Sequence, residues 1–486
     1  MARRSLTILA ALVALVACMA LAAGVAAGAP TVGAEGAPKE PGSIRHPQPP
    51  VPTPKGKIVQ LPGRQGCIVA APAAKKAPTC APARALEGPG VGFGSHAIAI
   101  SPDGRSVYVA ASKGDAITVF VRNPKTGALV QPKGKAGCVA AKAEHGCGLA
   151  IGLIGPNSVT VSPDGHYVYA TSRGGSSLTS FHRNPKTGAL KQLPPSSSGC
   201  ISSLPIPSCI AGRGMVDPDV VAVSPDGKNL YLGVFAGSGV ASFARNPANG
   251  ALTQLEGTAG CIAVATSGCA TGVGLADVEG LEVSPDGTAV YAAAAGSNAV
   301  AVLGRNAETG ALGQATDGTG CVGALTGCTA AVQLNGPNTV AVGPNGAVYV
   351  TSLLSNSATT FVETAPATIA QREKAAGCVI FLRSAACAFG RAMQAPEGIA
   401  VSPDGSSAYV TAFQTGAIDV LQLNRKTGGL EQKPGRLGCV APKSVPGCTL
   451  GRALGGAGSA VVSPDGRNVY STAFTSNAVD VFRRIK

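Results

Sequence analysis

Two sets of residues in this chain have types and spacings that carry chemistry. The fourteen cysteines after Cys18 fall into seven close pairs, 67/80, 138/147, 200/209, 261/269, 321/328, 378/387 and 439/448. An even number at regular spacing behind an export signal reads as local disulfides. Zinc would need four ligands per site, and His145 is the one histidine in any Cys loop. The second set lies five residues ahead of a tetrapeptide that recurs through the chain: His96, Asn157, Asp219, Glu279, Asn338, Glu397 and Gly458. Polar groups at one place in otherwise apolar stretches suit three roles. They can cap strand ends and hold channel water, or they can offer the oxygen ligands of Asn157, Asp219, Glu279 and Asn338 to a hard cation such as Ca²⁺. They can also move protons, for which His96 and Glu397 are the natural groups.

The elements that position these residues come from a repeat. Ser-Pro-Asp-Gly begins at 101, 162, 224, 284, 402 and 463, with Gly-Pro-Asn-Gly at 343, so successive units are 59 to 62 residues apart. Each unit reads as alternating strand, tight turn, alternating strand, Gly-rich turn, strand and Cys loop. Pro second and Gly fourth suit a type I turn, which gives the repeated aspartate a structural role. Tyr108, Tyr169, Tyr231, Tyr291, Tyr349, Tyr409 and Tyr470 share one repeat position and read as packing residues. Four strands recurring seven times, none able to bury its faces alone, describe an all-β seven-bladed propeller with one Cys-pair loop per repeat. The last unit stops after its third strand, and residues 57–67 resemble the fourth strand and Cys approach of 128–138. The N-terminal strand is therefore expected to close the last blade and remove two exposed edges.

The N-terminus carries Arg3 and Arg4, an apolar run over 6–17 and a small-residue site at 25–27, together a secretory signal over residues 1–27. The stretch 15–18 also resembles a lipoprotein cleavage box that would leave Cys18 lipidated, but 19–27 stay apolar. Residues 28–56 are Pro-rich and read as a tether, which leaves 57–486 for the propeller. Beyond the signal no run reaches the length of a membrane span. With 39 Lys+Arg against 25 Asp+Glu the formal charge is +14. Arg122, Arg183, Arg245 and Arg305 read as turn and loop residues that favour anionic wall polymers. Aromatics are 4% and are not interleaved with the basic residues, so nucleic acid is not an expected partner.

Residues 169–190, following the turn at 162–165, resemble the lactonase-type seven-bladed propellers. That family includes 6-phosphogluconolactonases and carboxymuconate lactonising enzymes and shades into surface propellers with a Tyr-Val-Thr-Asn repeat. The resemblance spans about residues 57–486 and implies a histidine, an arginine and a glutamate near the central funnel. Here these would be His96, Arg173 and, one position off, Glu397. The arginine would hold a substrate carboxylate and polarise an oxyanion while histidine or glutamate moves the proton. The Cys loop in every unit and the longer repeat depart from the family. The expected protein is a monomeric, exported propeller that binds a small molecule or an envelope partner at its Cys-loop face, with lactone chemistry in the funnel as the alternative.

Overall fold

The computed structural model describes residues 56–90 and 96–485. The expected signal, nearly all of the expected tether and Cys18 lie outside them. Seven six-stranded sheets make up the described fold. Their inner strands, Ile98–Ile100, Pro156–Val161, Pro218–Val223, Val278–Val283, Pro337–Val342, Pro396–Val401 and Ala457–Val462, each contact the next, and the last contacts the first. This closes a seven-bladed propeller, whose blades are numbered 1 to 7 from the sheet of Ile98. Six strands appear where the repeat predicts four. In blade 1 a short 3-10 turn at Gly134–Gly137 splits the expected fourth strand into Leu129–Val130 and Cys138–Ala140, and the chain behind the Cys loop adds the parallel pair Gly148–Leu149.

Blade 7 takes strands from both ends of the described chain: Ile58–Gln60 pairs with Ala478–Arg484 through Ile58↔Arg484, and Cys67–Ala70 pairs with the same strand through Cys67↔Asp480. Each Cys pair forms a local disulfide, from Cys67–Cys80 to Cys439–Cys448. In the loop-entropy picture each contributes about 2.5 to 3 kcal/mol. Seven such bridges suit an oxidising, extracytoplasmic compartment. Among the described residues no helix is long and apolar enough to cross a membrane.

Packing is made between blades. One core cluster joins Tyr108 and Val119 of blade 1 to Val168 and Phe181 of blade 2, and the next joins Tyr169 and Leu178 to Leu230 and Phe243. The seven repeat tyrosines are fully buried, as packing residues should be.

The arginines correct the sequence reading. Arg122, Arg183, Arg245 and Arg305 are buried, each 8% exposed or less, and are not available to a polymer. Arg183 Nε donates to Tyr108 Oη at 2.9 Å, and its Nη2 meets Asp103 Oδ2 of the turn in the preceding blade at 2.8 Å. Tyr108 Oη in turn donates to the carbonyl of Gly188. The same staple recurs with Arg122 on Tyr470 and Asp465, Arg245 on Tyr169 and Asp164, Arg305 on Tyr231 and Asp226, and Arg484 on Tyr409 and Asp404. The repeated aspartate therefore both makes its turn and anchors the next blade. Burial raises the Asp103 carboxyl, but the Ser101 hydroxyl, the Arg105 amide and the Arg183 guanidinium outweigh it and hold the group below the usual range.

Arg183→Met should cost about 2 to 4 kcal/mol in urea unfolding at neutral pH, since it leaves buried groups unpaired. A depressed carboxylate stabilises the fold above its unfolded pKa and loses that effect as pH falls through its folded pKa. The deficit should therefore shrink below about pH 4, where the unfolded chain's Asp103 takes up a proton that the folded chain still refuses. A deficit independent of pH would mean that the staple acts by packing alone.

Candidate functional site

The ring residues owe their orientation to a backbone irregularity. In blades 2 to 6 the ladder between first and second strands slips at one place, between Pro156 and Ser158, Pro218 and Val220, Val278 and Gly280, Pro337 and Thr339, and Pro396 and Gly398. The extra residue in each case is Asn157, Asp219, Glu279, Asn338 or Glu397. A bulge takes one residue out of the alternation and re-aims its side chain. All five are 5% exposed or less.

The two asparagines tie blades together. Asn157 Nδ2 donates to Asp219 O at 2.7 Å and Asp219 Oδ1 at 2.6 Å, while its Oδ1 accepts from Thr171. Asn338 Nδ2 donates to Pro396 O at 3.0 Å, and its Oδ1 accepts from Thr351 at 2.8 Å. Glu397 lies toward blade 7, where a Cβ on Gly458 would sit 3.6 Å from Glu397 Oε2.

Arg173 comes from the turn between the second and third strands of blade 2. The Cys200–Cys209 loop braces this turn, since Ser202 Oγ donates to Gly175 O and Ser203 N to Ser176 O. The guanidinium lies over the Phe235 ring, 4.7 Å from its centroid. Its Nε and Nη2 meet the two Asp217 carboxylate oxygens at 2.8 and 3.1 Å, and Nη1 is 3.5 Å from Asp219 Oδ1. Asp219 Oδ2 is buried without a hydrogen-bond partner among the described residues.

Burial dominates the electrostatics. It pushes the Asp219 carboxyl up to about 7, with Arg173 pulling down and Asp217 pushing up. Glu279 is raised well above its usual value by burial and then by the charges of Asp219, Glu397 and Asp277. Glu397 is raised by burial and by Asp219. Arg173 loses basicity to burial but gains more from Asp219, Asp217 and Glu279, so it stays charged. Asp219, Glu279, Glu397 and Arg173 thus form one coupled group spanning blades 2, 3, 4 and 6.

His96 stands apart. It is half-buried, its carbonyl accepts from Val159 N at 3.0 Å, and desolvation alone lowers its imidazole to about 4. Among the described residues no three His, Cys, Asp or Glu side chains are grouped to hold a metal ion. The proposed calcium ligands are also differently engaged, with the two asparagines acting as latches and Asp219 facing a guanidinium.

Sequence reasoning missed Asp217, Asp277 and Phe235. Asp217 and Asp277 have φ of 60° and 56°, at a place held by Gly155, Gly336 and Gly456 in other blades. A carboxylate kept in a glycine conformation two residues before a ring carboxylate is a legible signal.

A family model described as lactonase, seven-bladed β-propeller matches residues 150–271. The chain resembles the lactonase-type seven-bladed propellers. The matched part contains Asn157, Arg173, Asp217 and Asp219 but neither His96 nor Glu397. No curated protein matches the sequence. Among solved structures, Kuenenia stuttgartiensis hydrazine synthase aligns at 16% identity over 82% of this chain and 98% of that one, with a TM-score of 0.50. A putative 6-phosphogluconolactonase from Bacteroides uniformis aligns at 19% identity over 76% and 88%, TM-score 0.47. A periplasmic gluconolactonase from Pseudomonas aeruginosa aligns at 16% over 76% and 88%, TM-score 0.45. Likenesses this distant speak to fold alone.

Proposed function

We propose that this is an exported binding propeller, led out by the segment 1–27 and spaced by 28–56, whose small-molecule ligand enters the axial mouth on the Cys-loop face. The ligand class is one rich in hydrogen-bond donors, a polyol or an amine. The observation that carries the reading is the state of Arg173. Two aspartates already neutralise it, so it is not offered to a substrate anion, while Asp219 Oδ2 is left without a partner and Glu279 and Glu397 add further acceptors.

Lactone hydrolysis is the second reading. It is favoured by one feature, a carboxyl raised to about 7 beside a fixed guanidinium, the pairing that proton transfer next to a developing oxyanion requires. In that reading Asp219 moves the proton and Arg173 steadies the oxyanion. His96 is a weak base there because its imidazole is lowered to about 4.

Calorimetric titration with a neutral sugar lactone, alongside pH-stat measurement of its hydrolysis, separates the two. Binding without turnover, lost in Asp219→Ala, supports the binding reading. Turnover lost in both Arg173→Ala and Asp219→Asn, with melting preserved, supports the lactonase. Absence of both overturns the axial site. Calcium is expected to leave the melting temperature unmoved. A rise abolished by Glu279→Ala would instead restore a cation to the ring.

A further inference from the structure

Five of the seven seams between blades carry the arginine staple, and two do not. At the position of Arg122, blade 5 has Glu363 and blade 6 has Leu423, as the registers Val348↔Phe361 and Ala408↔Leu421 establish. The seam between blades 5 and 6 has changed on both sides. Asn345 replaces the turn aspartate, and the Tyr349 hydroxyl, which elsewhere accepts from the arginine, is buried with no partner among the described residues.

Beside the Asn345 turn of this seam lies a cavity of about 410 Å³, lined by Asn345, Glu363, Arg372, Arg425, Lys426 and Thr427. Arg372 is half-buried, and its Nε is buried without a partner. Among the described residues none of these three cations is in an ion pair. Three cations thus face one carboxylate. The cavity opens beside the Asn345 turn, on the face away from the Cys loops, and is separate from the axial mouth.

We propose that the seam between blades 5 and 6 is a binding site for a small oxyanion, a phosphate or carboxylate group, held by Arg372, Arg425 and Lys426. The anion takes the place of the missing turn carboxylate. Arg372 and Arg425 offer planar forks that match its oxygens, Lys426 adds a point charge, and Thr427 and the Asn345 amide supply neutral donors. Glu363 on the wall disfavours a bare charge and accepts a hydrogen bond from a protonated oxyanion or a neighbouring hydroxyl. The loss of the staple at this seam is then the opening of a site and not only a weaker joint.

Inorganic phosphate titrated at constant ionic strength, with chloride as the control, provides the test. Phosphate should raise the melting temperature beyond the chloride control, because a ligand bound only by the folded state stabilises it. Arg372→Met with Arg425→Met should weaken phosphate binding at least about tenfold in calorimetry. In a second chain, Leu423→Arg with Asn345→Asp rebuilds the staple and puts a carboxylate on the cavity wall. It should melt higher without phosphate and lose the phosphate response. No response beyond chloride in the unmutated protein, or a phosphate response retained in the rebuilt seam, would overturn the proposal. Because both changed seam positions lie on the face opposite the axial mouth, lactone binding there should be untouched, and failure of one site leaves the other standing.

Discussion

A chain beginning at Gly66 should lose cooperative thermal unfolding, while one beginning at Pro54 should melt like the full chain. The shorter chain keeps Cys67–Ala70 but not Ile58–Gln60, and with the latter go the pairs Ile58↔Arg484, Val59↔Arg483 and Gln60↔Phe482. Gln60 is the larger loss. Its Nε2 donates to the carbonyls of Gly66 and Arg452 and to Asp480 Oδ1, each at 3.0 Å, tying blade 7 to the chain arriving from blade 6. Asp480 is fully buried, and burial holds its carboxyl well above the usual range, with Arg452 and the Gln60 hydrogen bond pulling the other way. Removing that amide leaves the carboxyl with neither oxygen bonded. Gln60→Ala in the full chain isolates this term and should cost about 1 to 3 kcal/mol. Loss of the whole strand exposes the edge of the last strand at Phe482, Arg483 and Arg484 and leaves blade 7 held at that side by Cys67–Ala70 alone. Scanning calorimetry of the two truncations decides it, and equal melting would show that the blades hold without the strand.

The features legible in the sequence were those that repeat with uniform identity. The turn at 101 and its copies, the tyrosine position and the Cys pairs each serve a local or packing need that is the same in every blade, so one residue type recurs. The staple was illegible for the opposite reason. Arg183 lies 80 residues from Asp103 and 75 from Tyr108, and only ring closure brings them together, so the four arginines looked like surface charge. The axial site was half legible. Its repeat position showed as a break in apolar pattern, but the bulge that turns Asp219 and Glu279 out of alternation depends on backbone register and leaves no residue signature of its own. Arg173 was placed by family resemblance, whereas Asp217, the carboxylate that holds it, sits where other blades use glycine and was passed over. Histidine drew attention as the usual proton carrier, yet His96 shares no charge interaction with Arg173, and carboxyl groups form the coupled centre instead.

Asp219→Asn should raise the melting temperature at pH 8 by several degrees and leave it nearly unchanged at pH 4. The carboxyl is fully buried and its value is raised from 3.8 to about 7, a rise equivalent to about 4 kcal/mol. The sign follows from proton counting. Between about pH 4 and 7 the folded chain holds a proton on Asp219 that the unfolded chain has lost, so stability falls as pH rises through that window and is level above it. Asparagine cannot ionise, so the variant should lack this fall. It keeps Oδ1 to accept from Asn157, and Arg173 keeps both oxygens of Asp217; the new amide Nδ2 replaces an Oδ2 that already lacks a partner, and its unpaired N–H groups offset part of the gain. A buried carboxylate that costs stability at neutral pH is the mark of a site kept for function, since a neutral isostere would serve a purely structural ring better. The same substitution should therefore weaken ligand capture at pH 8 while strengthening the fold. Asp217→Asn should do the reverse to stability, because Asp217 is a partly exposed partner of a charged guanidinium and its loss leaves Arg173 with the disfavoured carboxylate alone. If Asp219→Asn melts lower than the unmutated protein at both pH values, the carboxylate is a structural member of the ring and the axial mouth is not a ligand site built on it.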